Sequence, residues 1–147
     1  MMMKNTSLKN ILTDTGFWIA YFEERDEYHK VAQELSSVIF DYNIIIPFPS
    51  VYEFLNTRFS RRSKQVNELE LLFHKLNIVY VYDDAYRTGL IQKFIRINKG
   101  NRTISAVDMV INQILEDVNI KIDCIVTFNE KDFFHSCKKR NIEILAR

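Results

Sequence analysis

Along the chain, short apolar runs rich in β-branched residues alternate with longer stretches in which apolar positions recur every three or four residues. The first pattern predicts strands and the second helices. Strands are predicted at residues 11–13, 44–48, 78–81, 122–127 and 142–145. The runs at 11–13, 44–48 and 122–127 are nearly continuous in apolar character, as a strand covered on both faces requires. Helices are predicted over 17–24, 28–40, 50–59, 63–76, 84–97, 105–117 and 131–139. Their inward faces are read as Val31, Leu35, Val38 and Ile39 in the second, and Val66, Leu69, Leu72, Phe73 and Leu76 in the fourth. In the fifth they are Leu90, Ile91, Phe94 and Ile95. Strand and helix in alternation is the signature of βαβ units around a mostly parallel sheet, so the expected fold is α/β, with residues 1–147 as a single domain.

Composition narrows this picture. The 147 residues include only 3 Gly and 2 Pro, which disfavours an all-β sandwich with many tight turns. A hydrophobic fraction of 47% and a charged fraction of 27% are ordinary for a globular chain. The net charge of +1 means that any polyanionic partner is held by a local basic patch rather than by the whole surface. Cys124 and Cys137 form no CxxC pair, and His29, His74 and His135 stand in no zinc-ligand spacing. Both thiols are expected to be buried and reduced. The N-terminus lacks the apolar core of a signal peptide, and no apolar run reaches the roughly 18 residues of a membrane span. A cytoplasmic protein with no membrane partner is expected.

Three acids stand out by position. Asp14 closes the first strand in Ile11-Leu12-Thr13-Asp14-Thr15-Gly16. Glu53 falls at the start of the helix after the second strand, and Asp108 holds the same place in Ser105-Ala106-Val107-Asp108. In an open parallel sheet, strand carboxyl ends and the starts of the following helices share one edge, where ligands bind. The segment Thr127-Phe128-Asn129-Glu130-Lys131-Asp132 would bring a fourth acid to that edge. Carboxylates in apolar settings repel one another and take up protons unless a cation resolves the conflict. Oxygen ligands without His or Cys select a hard ion, Mg²⁺ or Mn²⁺. The competing reading is local: Ser50-x-x-Glu53 and Ser105-x-x-Asp108 fit the capping box or a close variant, and Asp14 can serve as an N-cap.

At these residues the chain resembles the PIN-domain nucleases, and within them the VapC toxins of bacterial toxin–antitoxin pairs. Leu12-Thr13-Asp14-Thr15-Gly16-Phe17-Trp18 is similar to the family's opening motif, and Ile46-Pro47-Phe48-Pro49-Ser50-Val51-Tyr52-Glu53 to its second. Ser105-Ala106-Val107-Asp108 is similar to the third, and Val126-Thr127-Phe128-Asn129-Glu130-Lys131-Asp132 to the fourth. The four motifs run in order from about Ile11 to Leu145. The resemblance implies a three-layer α/β/α sandwich with a five-stranded sheet. It also implies metal-dependent hydrolysis of RNA phosphodiesters, with Asp14, Glu53 and Asp108 as catalytic metal ligands, a cognate antitoxin and a homodimer. Many relatives place an acid where Asn129 stands. Here either Asn129 or Asp132 supplies the fourth ligand, Asp132 being counted with the catalytic acids, and one or two ions are compatible with the motif.

Two basic clusters flank this edge. Arg58, Arg61, Arg62 and Lys64 follow Glu53, and Lys93, Arg96, Lys99 and Arg102 precede Asp108. Arg58, Arg61, Arg62 and Arg102 are the candidate RNA contacts, against the simpler reading of solvated faces. An antitoxin tail is expected over the groove between the helices at 50–59 and 63–76, with Phe54, Leu55 and Phe59 as apolar anchors. Phe17, Trp18 and Tyr21, at helical spacing beside a strand, are read as core rather than as base-stacking residues. His29 is read as a helix-start contact of Asp26. Two other uses of the scaffold stay open: a housekeeping RNA-processing nuclease, and a degenerate module that only binds a partner. A haloacid-dehalogenase-like phosphatase would need a second Asp two residues after Asp14, where Gly16 stands.

Overall fold

The structure, a computed structural model, describes residues 9–57, 61–100 and 103–145. Five strands form one sheet: β1 (Asn10–Thr13), β2 (Asn43–Pro47), β3 (Asn77–Val81), β4 (Cys124–Val126) and β5 (Glu143–Leu145). Their order is β3-β2-β1-β4-β5, and every pairing is parallel. The helices are α1 (Thr15–Phe22), α2 (His29–Ile39), α3 (Phe48–Leu55), α4 (Ser63–Lys75), α5 (Leu90–Asn98), α6 (Ala106–Glu116) and α7 (Glu130–Arg140). The expected three-layer α/β/α sandwich is present, with the sheet wholly rather than mostly parallel.

The pleat explains the layers. Successive side chains of a strand point to opposite faces, and the register aligns Ile11 with Ile44 and with Cys124, and Leu12 with Ile45 and with Ile125. Ile11, Ile44, Ile46, Cys124 and Val126 therefore meet α1–α4 in one apolar cluster with Phe17, Trp18 and Phe54. Leu12, Ile45 and Ile125 meet α6 and α7 in the other, with Ile111, Ile114, Leu115 and Phe133. Trp18 and Phe17 are fully buried, as expected. Both cysteines are buried and unpaired. Emptying one of these positions, for instance Leu115→Ala, removes about 2–5 kcal/mol of stability through lost burial and the cavity left behind.

Several boundaries and faces differ from the sequence reading. Phe48 opens α3 instead of closing β2, because Pro at the second helical position suits a helix start, where its missing N–H costs nothing. The predicted helix over 84–97 is two elements: a 3₁₀ turn at Asp84–Tyr86, then α5. Gly89 separates them at φ +72°, in the left-handed region that glycine enters without strain. In α2 the buried positions are Ala32, Ser36 and Ile39, whereas Val38 is 58% exposed. The largest departure is α5. Leu90 packs on the core, but Ile91, Phe94 and Ile95 are exposed. No described helix is long and apolar enough to cross a membrane.

Candidate active site

The chain runs outward from β1 through β2 to β3, then returns to β4 on the other side of β1. Beyond the carboxyl ends of β1 and β4, where the strand order reverses, an open parallel sheet leaves a crevice. Asp14 stands there, one residue past β1, and only 7% of it is exposed. Its Oδ1 accepts the backbone N–H of Phe17 at 2.9 Å, which makes it the N-cap of α1. Its Oδ2 accepts the Thr127 hydroxyl from the far side of the crevice at 2.6 Å. Asp14 is thus the N-cap that the local reading expects, and its second carboxylate oxygen faces the switch point.

The other acids converge on it. Glu53 of α3 accepts the Thr15 hydroxyl at 2.8 Å and helps to raise the pKa of Asp14. Asp108, in the first turn of α6, has its carboxyl pushed up to about 6 by burial first, then by the negative charges of Asp132, Asp14 and Glu53. Burial is also the main cause of the raised pKa of Asp14, partly offset by the hydrogen bonds from Thr127 and Phe17. Asp132 lies in the first turn of α7, and the side-chain amide of Asn129, the N-cap residue of that helix, donates to its carboxylate. Asp14 at a strand end and Asp108 and Asp132 in first helical turns thus share one electrostatic neighbourhood with Glu53. Glu53 lies in the second turn of α3 rather than at its expected start, because α3 begins at Phe48.

The capping-box reading divides. Ser105 caps α6, accepting the Asp108 N–H at 3.1 Å. Ser50 caps nothing, since α3 begins two residues earlier; its hydroxyl is buried without a hydrogen-bond partner. Glu53 is therefore free of any cap and available to the crevice.

Sequence reasoning missed the residues that hold these acids. The Asn112 amide donates to the backbone carbonyls of both Asp108 and Asp132, each at 3.0 Å, and accepts the Ser136 hydroxyl at 2.7 Å. It ties α6 to α7 directly beneath two carboxylates. Its signal was its place one helical turn after Asp108. Thr127 accepts the Asn129 N–H at 3.0 Å while donating to Asp14. Thr13 accepts the Trp18 indole N–H at 2.9 Å and donates to the Ile45 carbonyl. A threonine at the end of each central strand was the signal here.

The donor set fits a hard divalent cation: carboxylate oxygens, mutual repulsion that a positive charge relieves, and open access at Gly16. A Cβ added to Gly16 would stand 3.6 Å from Asp14 Oδ1 and 4.0 Å from Oδ2, so the glycine leaves that flank of the carboxylate bare. Among the described residues no three acidic, histidine or cysteine side chains form a ready-made ligand cage.

The basic residues are less concentrated than expected. Arg62 pairs with Glu23 at 3.3 Å, joining the start of α4 to the end of α1. Arg61 is exposed beside it. Arg58 and Arg102 lie outside the described residues, as does Phe59. The groove expected between α3 and α4 exists as a cavity of about 180 Å³ lined by Trp18, Ser50, Leu55, Phe73 and others. Phe54, expected to be a free anchor, is instead a buried wall of that cavity, because it faces the sheet on α3; Leu55 is exposed at 45%. The His29 N–H donates to the Asp26 carbonyl, as read from sequence, and its ring Nδ1 lies 2.7 Å from the Ala20 carbonyl oxygen.

A wholly parallel five-stranded sheet between helical layers, with acids gathered at its switch point, defines a PIN-like α/β/α fold. Solved structures with this fold include FitAcB from Neisseria gonorrhoeae, at 16% identity and a TM-score of 0.56, covering 92% of this chain and 96% of that one. VapBC2 from Rickettsia felis bound to a DNA fragment from its promoter is similar at 16% identity and a TM-score of 0.55, with the same coverages. DNA-bound VapBC from Salmonella typhimurium matches at 18% identity and a TM-score of 0.53, over 93% of this chain and 96% of that one. At these identities the likeness establishes a common fold. No family model matches the sequence, and no curated protein matches it.

Proposed function

We propose that this chain is a Mg²⁺- or Mn²⁺-dependent endoribonuclease, the toxin of a toxin–antitoxin pair, acting in the cytoplasm. The observation that carries the reading is the crowding of Asp14, Glu53, Asp108 and Asp132 at one crevice, where burial first and the neighbouring acids second push the Asp108 carboxyl up to about 6. Acids gathered at a crevice repel one another, and a cation bound among them relieves that repulsion. In this reading Asp14, Glu53, Asp108 and Asp132 hold the ion. Asn129 acts on Asp132 through its amide rather than as a ligand. Thr127 and the Phe17 N–H fix the Asp14 carboxylate, while Asn112 fixes the backbone that carries Asp108 and Asp132. A bound divalent ion supplies an activated water and offsets charge on the departing oxygen. Arg61 meets the RNA backbone at the rim.

The toxin assignment is supported by the fold shared with FitAcB and the VapBC structures over nearly the whole chain, together with the four motifs. An antitoxin tail is assigned to the apolar cavity between α3 and α4, where an incoming donor would satisfy the orphaned Ser50 hydroxyl. A homodimer is supported by the apolar residues of α5 left in water, Ile91 at 72% exposure among them. The test is cleavage of single-stranded RNA by the purified chain with Mg²⁺ or Mn²⁺. Activity is expected with either ion and lost with EDTA. Cleavage that persists after exhaustive chelation overturns the reading.

A further inference from the structure

A second cleft, of about 310 Å³, opens between α5, α6 and α7 and shares a wall with the acidic edge, since Asp132 lines it. That volume falls in the range of small-ligand sites, ~300–1,000 Å³. Its apolar lining is Ile97, Ile104 and Met109, and its polar lining includes Lys93 of α5, Gln113 of α6 and His135 of α7. Lys139 also lines it but is neutralised by Glu116 at 2.6 Å. The side chains of Lys93, Gln113 and His135 show no hydrogen-bond or ion-pair partner among the described residues. Lys93 and Ile97 lie one turn apart on α5, about half a turn around the helix from the exposed Ile91 and Ile95. A dimer through the latter pair therefore leaves the cleft open.

We propose that this cleft is the subsite for a nucleotide flanking the scissile phosphate of single-stranded RNA, with Gln113 reading the base. The inference rests on the ribonuclease reading above and adds to it how the strand is held. An unstacked base has an apolar face and a polar edge, and recognition of single strands combines a surface for the face with hydrogen bonds to the edge. Ile97, Ile104 and Met109 provide the surface. The Gln113 amide carries both donor and acceptor, the equipment needed to tell one base edge from another. Lys93 and His135 meet the adjoining phosphates, and the shared wall at Asp132 places the next phosphate at the carboxylates. A paired A-form helix keeps its bases stacked and buried, so a duplex cannot offer a base to this floor.

The experiment is cleavage of a pool of single-stranded RNA oligonucleotides randomised in sequence, with the cut ends sequenced, for the wild type, Gln113→Ala and Lys93→Ala. The wild type is expected to show a base preference at one position beside the cut. Gln113→Ala should flatten that preference by on the order of tenfold, leaving preferences elsewhere unchanged. Lys93→Ala should weaken binding of all sequences alike and lower the salt slope by about one unit. Unchanged melting temperatures keep both variants interpretable as folded protein. Cleavage with the flanking preference intact in Gln113→Ala, or with no preference in the wild type, overturns the subsite while leaving the ribonuclease reading in place. A wild type that cuts no RNA in the pool, with either metal, overturns both.

Discussion

Two regions of this molecule break the ordinary rule of apolar inside and polar outside, in opposite directions. At the switch point of the sheet, Asp14 is almost fully buried and Asp108 is held near pKa 6 by burial and by three neighbouring acids. On the flank, α5 shows Ile91, Phe94, Ile95 and Ile97 to solvent, and buries no residue fully. Charge sits in the protein interior in one place and hydrocarbon sits in water in the other. Each departure costs free energy in the isolated chain: the proposed cation would relieve the first, and the proposed dimer would cover Ile91 and Ile95 in the second. The neighbouring α6 makes the contrast plain. It has a similar apolar rhythm, yet it buries Met109, Val110, Ile111, Ile114 and Leu115 against the sheet.

The sharpest way to break the comparison is at the acids. Asp14→Asn or Asp108→Asn is expected to lower RNA cleavage about 10³-fold or more, since a charged ligand contributes several kcal/mol to metal-assisted transition-state stabilisation. The fold should persist, because at position 14 Asn is as good an N-cap as Asp, and α6 is capped by Ser105 rather than by Asp108. Circular dichroism and single-turnover kinetics on the purified variants check both halves. Near wild-type rates would remove the metal-site assignment.

The flank is tested by charge. Ile91→Asp with Ile95→Asp should weaken self-association about 30-fold or more, as loss of buried anchors does, while cleavage chemistry at Asp14 is retained. Sedimentation velocity across a concentration series reads the shift. A double variant that sediments like the wild type returns α5 to a merely exposed helix.

Proton and metal should compete at Asp108. Its folded pKa of about 6 lies above the ordinary 3.8. Without metal, its contribution to stability is therefore fully present below the ordinary value and is lost as pH rises through about 6. Metal binding needs the ionised form, so the sign for the metal-loaded protein is opposite. The rise in Tm caused by Mg²⁺ should be large at neutral pH and shrink as pH falls below about 6. A metal-induced shift that does not change across this window argues against Asp108 as a ligand. In the metal-free protein, Asp108→Asn should raise Tm at neutral pH and lose that advantage in acid.

The smallest effect is expected at the rim. Arg61→Ala with Arg62→Ala should weaken RNA binding a few-fold and lower the salt slope by about one unit per lost phosphate contact. Arg62 is already engaged by Glu23, so Arg61 should carry most of the change. Salt titrations of RNA affinity for the single variants separate the two.

The amino-acid sequence determined which strands form and which faces they bury. Ile11, Leu12, Ile44 and Ile45 read as a two-sided core because every residue in the run is apolar, and the structure divides them between the two helical layers. It also marked Asp14 and Asp108, because an acid at a strand end or helix start has few places to point. What it left open depended on neighbours distant along the chain. Whether Ser50 capped a helix hung on one boundary, set by Phe48 and Pro49 entering α3. The hold of Thr127 on Asp14 spans 113 residues, and that of Asn112 on Asp132 spans 20; no local pattern encodes such pairs. The fate of α5 was undecidable from its rhythm, because amphipathic spacing states that a face will seek cover without stating what covers it. Local periodicity is written residue by residue, whereas contact across the sheet is decided only when the layers meet, and the acid cluster and the bare flank both belong to that second step.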